Sequence, residues 1–300
     1  MSEVLQFEAG EIPSQVSKRL DIEEIVNYQR ALLLAKQSLS SRPFNLNLLL
    51  DLHKTLLTSV RGHDKAPGEF RRQQNYVGSR IGGVETVRFT PPEWTALREG
   101  LDNWEKYYHA DDLDPIVQLA MVHAQFEFLH PFLDGNGRLG RILIPLFLFE
   151  KGLLSQPTFY LSEYIERNKD AYCDHLNALG RSSKSWTAWA RFFLEAVIWQ
   201  ADQNRSKSDK IMSLYADLKS RFIETTRSPY AIPLLDAIFQ LPVFQASQLQ
   251  WHMPPPSKPT LMSLLKVLAD QKALVVVREG SGKRPYIWAL PDLIRIAENT

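Results

Sequence analysis

Apolar positions recur along most of this chain at three- and four-residue intervals, which predicts helices. Asp21 followed by Glu24 has the form of an N-cap with its reciprocal partner, and Ile25, Val26, Leu32 and Leu33 follow at helical spacing. Asn45 predicts the cap of a second helix that buries Leu49, Leu52, Leu56 and Leu57. Asp114, with Pro115 at the first helical position, opens a third that runs to about Leu129. Between the second and third, QNYVGSRIGGVETVRFTPPE (residues 74 to 93) changes period: β-branched residues surround Gly82-Gly83 and two prolines stop the run. That pattern predicts a β-hairpin at about 76–90. Its edge amides could accept an extended segment of another protein, or the hairpin could simply pack on the helices.

A later helix carries Trp186, Trp189, Phe192 and Phe193 and is followed by the polar run QADQNRSKSDK, a linker or an exposed helical connection. From Tyr230 the pattern changes again: an apolar helix at Ile232 to Phe239, a short one near Ala246 to Trp251, the breaker MPPPSKP, and a helix from about Thr260 to Gln271. Two strands joined by Gly280-Ser281-Gly282 close the series. Three helices followed by a hairpin resemble a winged-helix domain. The expected division is therefore 1–200, a connection at 201–229, and 230–300.

With 300 residues, 44 % of them hydrophobic, the chain is long enough to bury a large core beside a small one. Its formal net charge of +1 supplies no global field to recruit nucleic acid or an anionic membrane, so any anion site is local. A single cysteine, Cys173, excludes an internal disulfide and a cysteine metal cluster, and makes a reducing, cytoplasmic setting the expectation. The N-terminus has no signal-peptide pattern, and the longest apolar run, Ile142 to Phe149, is too short to span a bilayer.

The chemistry concentrates in HPFLDGNGRLGR, His130 to Arg141. Pro131 disfavours helical geometry at His130, so the third helix should end there and leave the imidazole on a loop. Asp-Gly-Asn-Gly allows tight, positive-φ backbone, and Arg138 is expected to begin a new apolar helix. Free amides around Gly135, Asn136 and Gly137, at the positive end of a helix dipole, suit phosphate. Arg138 and Arg141 lie near one helical face and could grip a polyphosphate. Asp134 beside a polyphosphate suits Mg²⁺, which takes few protein oxygens. His130 is the group able to accept a proton near neutral pH.

The same twelve residues resemble, at every defining position, the signature of the Fic family: His, any, Phe, any, acid, Gly-Asn-Gly-Arg, two of any, Arg. The resemblance extends from about Ile22 to Phe193, through PGEFRRQQNYVG and YLSEYIERNKDAYCDHL, and winged-helix tails often accompany it. It implies a mainly α fold, a Fic-type helical bundle with a β-hairpin flap, and transfer of AMP from Mg²⁺-ATP to a Tyr, Ser or Thr hydroxyl of a target protein. It further implies that His130 deprotonates that hydroxyl and Asp134 holds Mg²⁺, while Gly135, Asn136 and Gly137 cradle the phosphates. Arg138 would stabilise the pyrophosphate end with Arg141 assisting, Phe132 would be structural, Asn168 and Tyr172 would line the adenine pocket, and the flap would pair with the target.

Related activities remain open at the same site, namely phosphate transfer or use of another nucleotide. So does a nucleotide-sensing DNA-binding regulator, although its helix Thr260 to Gln271 offers a duplex mainly Lys258 beside it and Lys266, with Lys283 and Arg284 on the wing able to touch phosphates. Self-modification and a homo-oligomer are further expectations; a membrane partner is not. Many relatives carry an inhibitory Ser/Thr-x-x-x-Glu-Gly/Asn helix whose glutamate pairs with the second motif arginine. No such segment occurs here: Ser162 to Glu166 is followed by Arg167, and SEVLQFEAGE resembles the stretch after that helix. The expectation is an Arg141 free to receive the γ-phosphate.

Overall fold

The computed structural model describes residues 2–10, 15–81, 84–111, 114–179, 182–282 and 284–298. In chain order it contains α1 (Ser2–Glu8), α2 (Val16–Leu39), α3 (Leu46–Leu56), the strands β1 (Val77–Ile81) and β2 (Val84–Phe89), α4 (Leu97–Tyr108), α5 (Pro115–Leu129), α6 (Asn136–Glu150), α7 (Ser162–Arg167), α8 (Lys169–Ala178) and α9 (Ser183–Thr226). There follow α10 (Ala231–Gln240), β3 (Val243–Phe244), a 3-10 turn at Ala246–Gln248, α11 (Lys258–Asp270), β4 (Val275–Arg278), β5 (Ile287–Ala289) and α12 (Pro291–Glu298). The protein is mainly helical, as the residue pattern predicts. None of its described helices is long and apolar enough to cross a membrane.

Two compact units emerge, one of residues 23–201 and one of residues 1–22 with 202–300. The first 22 residues, expected with the first domain, thus fall in the second unit, and the polar run at 200–210 lies within the continuous helix α9.

Unit 23–201 is a helical bundle whose core includes Leu49, Leu52, Leu101, Trp104, Phe126, Phe132, Phe147 and Trp189. Two of its helices, α3 and α5, start where a side chain satisfies their free amides. Asn45 accepts from the Leu48 amide, and Asp114 from those of Ile116 and Val117. The antiparallel hairpin pairs Val77 with Phe89 and Ile81 with Val84; its expected Gly82-Gly83 turn lies outside the described residues. Phe89 packs its ring 5.4 Å from that of Phe128, which anchors the hairpin to α5.

Helix α2 corrects two expectations. It begins at Val16, so Asp21 lies inside it and not at its N-cap, because the preceding Ser-Lys-Arg-Leu run itself favours helix. Its buried face is Asn27, Ala31, Leu32 and Ala35, and both Ile25 and Leu33 are exposed. Helix α6 starts two residues before Arg138, at Asn136, and continues through Pro145.

In the second unit, Phe222, Leu234, Leu235, Ile238, Leu265, Leu268 and Trp288 form the core, beside a three-stranded sheet in the order β3-β5-β4. Helix α11 begins at Lys258, capped by Ser257, and the short helix expected to reach Trp251 is the 3-10 turn. Lys283 lies outside the described residues.

Candidate active site

Pro131 has the expected effect on its neighbour. His130 ends α5 in the left-handed region, at φ 44° and ψ 61°. A non-glycine residue there is held by its surroundings. Arg71, buried in the bundle, donates from Nε to the His130 carbonyl at 3.0 Å, and its Nη2 reaches the carbonyls of Pro92 and Leu129. Asn75 Nδ2 donates to the Phe132 carbonyl at 2.8 Å and to that of His130 at 3.3 Å. Four converging carbonyls thus receive two side chains from the segment before the hairpin, which fixes the turn carrying the imidazole.

The next turn is tied from inside. Phe132 is fully buried and stacks on His53, with ring centroids 3.8 Å apart. Asn136 is buried as well: its Oδ1 accepts from the Phe132 amide at 2.9 Å and its Nδ2 donates to the Phe132 carbonyl at 2.8 Å. The Asn136 side chain is therefore spent on closing the loop, and only its backbone faces a ligand. His53 Nδ1 accepts from the Gly68 amide at 2.9 Å, so its Nε2 carries the proton and donates to the Asp134 carbonyl at 2.9 Å. Gly135 sits at φ 80°, where an added Cβ would stand 3.3 Å from both His53 Nε2 and Leu57 Cδ2; glycine meets both the dihedral and the space.

This frame leaves the first amides of α6, from Asn136 onward, without carbonyls of their own helix, the usual condition of a helix N-terminus. Leu139 is the first to bond back, to the Gly135 carbonyl at 3.0 Å. Asp134 stands beside these amides; its Oδ1 accepts from Gly135 N–H and lies 3.4 Å from Arg138 Nη2. Arg141, one turn further, forms no hydrogen bond or ion pair among the described residues, and its nearest electrostatic partners include Glu127 and Tyr172. One hard carboxylate beside free amides, with no nitrogen or sulfur donors, fits a Mg²⁺ that draws its remaining ligands from phosphate and water. Among the described residues there is no cluster of three or more His, Cys, Asp or Glu side chains that could hold a metal ion.

The imidazole of His130 borders a cavity of about 120 Å³ walled by Val77, Arg88 and Phe89 of the hairpin and by Glu127, Tyr172 and Cys173. Its Nδ1 donates to the Glu127 carbonyl at 3.4 Å, which leaves Nε2 with its lone pair. Burial pushes this imidazole down to about 4, so it is neutral at physiological pH. Burial has the opposite effect on the Glu127 carboxyl in the same wall, raising it to about 7. That carboxyl presses on α6, where a Cβ at Gly140 would come within van der Waals overlap of its Oε1.

Of the two residues expected around a base, Tyr172 lies in this wall, its hydroxyl 2.9 Å from His123 Nε2. Asn168 is not among the wall residues: it forms the junction of α7 and α8 and donates from Nδ2 to the Tyr164 carbonyl at 2.9 Å. Arg71, Asn75, His53 and Glu127 escaped sequence reasoning. The signal available was PGEFRRQQNYVG, which holds both Arg71 and Asn75 and belongs to the resemblance.

The buried imidazoles make the fold acid-sensitive. His53, His123 and His130 are all held at about 4, so between about 6.5 and 4 the unfolded chain binds protons that the folded chain does not. Stability must fall as pH falls through that window. Glu127 acts in the opposite direction between 4.5 and about 7, one group against three. The denaturation midpoint should therefore drop between pH 7 and pH 5; a midpoint that stays level or rises would mean these imidazoles are not buried neutral.

Residues 43–148 match the Fic/DOC family. A stretch of 104 residues is 33 % identical to the protein adenylyltransferase Fic of Drosophila virilis and 34 % to that of Drosophila melanogaster, in each case 35 % of this chain and 20 % of the relative. The chain thus spans about a fifth of the length of the curated relatives it matches. The fold resembles a Fic-family protein from Desulfovibrio desulfuricans, with a TM-score of 0.57 at 16 % identity, covering 97 % of this chain and 81 % of that one. A Fic-domain signalling protein from Bacteroides thetaiotaomicron gives 0.51 at 19 %, covering 66 % and 76 %. The family match covers residues 43–148, and the fold resembles that of Fic-family proteins.

Proposed function

We propose that this protein transfers AMP from ATP to a Tyr, Ser or Thr hydroxyl of a target protein or of itself. The observation that carries this reading is a neutral histidine, with Nε2 unprotonated, set beside an unsatisfied helix N-terminus that also bears a carboxylate and two arginines. The names of the curated relatives, protein adenylyltransferases, support it.

The hydroxyl oxygen attacks the α-phosphorus while its proton passes to His130 Nε2. The bond between the α-phosphorus and the bridging oxygen breaks, and pyrophosphate leaves. The amides of Asn136 and Gly137 take the phosphate oxygens, Gly135 serving the turn while its own amide is held by Asp134; Arg138 and Arg141 balance the charge that develops on the leaving end. Mg²⁺, held by Asp134 and phosphate oxygens, would neutralise that charge further. The wall containing Tyr172 would receive the base. The unpaired edges of the two-stranded hairpin, whose residues 77, 88 and 89 border His130, would align the target by strand addition. The second unit is read as a winged-helix module that recruits the target or a second copy.

Mass spectrometry after incubation with Mg²⁺ and ATP, with a protein extract as the source of target, tests this. An AMP adduct on a Tyr, Ser or Thr supports it, and a phosphate adduct formed in its place assigns the protein to phosphate transfer.

A further inference from the structure

Beside Asp134 lies a charged cluster that the glycine-rich turn does not include. Glu24 projects from α2, and Arg61 and Gly62 lie in the segment after α3. Arg61 donates from Nε to Glu24 Oε1 at 2.7 Å and from Nη2 to Oε2 at 3.1 Å, a bidentate pair. Arg138 Nη1 stands 3.7 Å from the same Oε1, and its Nη2 donates to the Arg61 carbonyl at 3.1 Å. Gly62 backs Asp134 so closely that a Cβ there would stand 2.8 Å from Oδ2. The side chains of Glu24 and Arg138 are only 16 % and 20 % exposed, whereas Arg61 is 72 % exposed.

A carboxylate this far from water is costly unless cations flank it, and here two do. The distances separate their parts. Arg61 lies close enough to neutralise Glu24, while Arg138 lies a full ångström further away, near enough to be oriented yet not consumed. An arginine left to itself samples many rotamers, and freezing it on ligand arrival has an entropic cost. An arginine already held between Glu24, Asp134 and the Arg61 carbonyl has met that cost on folding.

We propose that Glu24, with Arg61 as its counter-ion, is a positioning residue that holds the Arg138 guanidinium ready for the distal phosphates of a nucleotide. It touches no reacting atom and acts through Arg138. This rests on the reading of the helix N-terminus as a polyphosphate site. Its consequence is a dependence on the number of phosphates: Glu24 should matter for ATP and ADP and be irrelevant to AMP.

Calorimetric titration of the full chain with ATP, ADP and AMP in the presence of Mg²⁺ tests it, using the intact protein, Glu24→Gln and Arg61→Gln. Arg61 is mostly exposed, so its variant should fold even if Glu24→Gln does not. Both variants should bind ATP about tenfold more weakly than the intact protein, with AMP affinity unchanged. Equal weakening for all three nucleotides would show a loosened fold, and unchanged ATP affinity a merely structural pair; either overturns the proposal. Tighter ATP binding by Glu24→Gln would also overturn it, since Glu24 would then compete with phosphate. If the intact protein binds ATP no more tightly than AMP, the polyphosphate reading falls and Glu24's role falls with it. A preference present in the intact protein and preserved in both variants overturns the role of Glu24 alone.

Discussion

Alanine in place of His130 is expected to slow AMP transfer by about 10²–10⁴-fold while leaving ATP affinity unchanged. The imidazole lies in the cavity wall and not among the amides that face the phosphates, so removing it takes away the proton acceptor and spares the anion site. Its backbone carbonyl, which Arg71 and Asn75 hold, survives the substitution, so the turn keeps its shape. The pH profile of the intact protein should share this origin. A base held at about 4 is unprotonated across the neutral range, so transfer should lose activity to its protonation only on the acid side, as pH approaches 4. Single-turnover rates from pH 4 to 8, run beside direct measurement of ATP binding by the variant, check both expectations. An ordinary histidine limb near 6.5 would show that the imidazole is not buried when substrate is present.

Phe132→Ala should be the most damaging substitution to the fold within the same twelve residues, costing about 3–5 kcal/mol. The ring is fully buried and lies against His53 and Phe70, so truncation leaves a cavity at the base of the turn. A typical domain has only about 5–15 kcal/mol of stability in total, so the loss is a large fraction of it. Phe132→Leu, which refills most of the volume, should cost about 1.5 kcal/mol or less and retain the loop. Denaturant unfolding of both variants measures the difference. The contrast with His130→Ala is the informative part: one residue should govern chemistry without stability, its neighbour stability and, through the loop, chemistry as well. A Phe132→Ala protein as stable as the parent would mean that the turn does not depend on this ring.

Much of the fold was legible because its signals are local. Asn45, Asp114 and Pro115 each act on amides within three residues, and the starts of α3 and α5 fall where those residues place them. The end of α5 at His130 follows from the proline beside it. The glycine-rich turn was legible for the same reason: its closure by Asn136 spans four residues.

What was not legible acts across the chain. Arg71 and Asn75 reach His130 over 59 and 55 positions, and His53 reaches Asp134 over 81, so no local spacing gives the partner of any of them. Glu24 has the spacing of a capping partner, yet its carboxylate goes to Arg61, 37 residues away. Ile25 and Leu33 have helical spacing but lie outside the stripe of Asn27, Ala31 and Ala35, where small and polar side chains let α2 pack closely. Asn168 and Tyr172 stand four residues apart, and the break between α7 and α8 sends them to different places.

The most direct measurement is incubation of the purified full chain with Mg²⁺ and ATP labelled at either the α- or the γ-phosphate, with a protein extract as acceptor and His130→Ala as control. A histidine base beside a polyphosphate nest predicts protein-bound label from the α-position only, absent in the variant. Label from the γ-position, or α-label that persists without His130, would show that the site performs a different transfer.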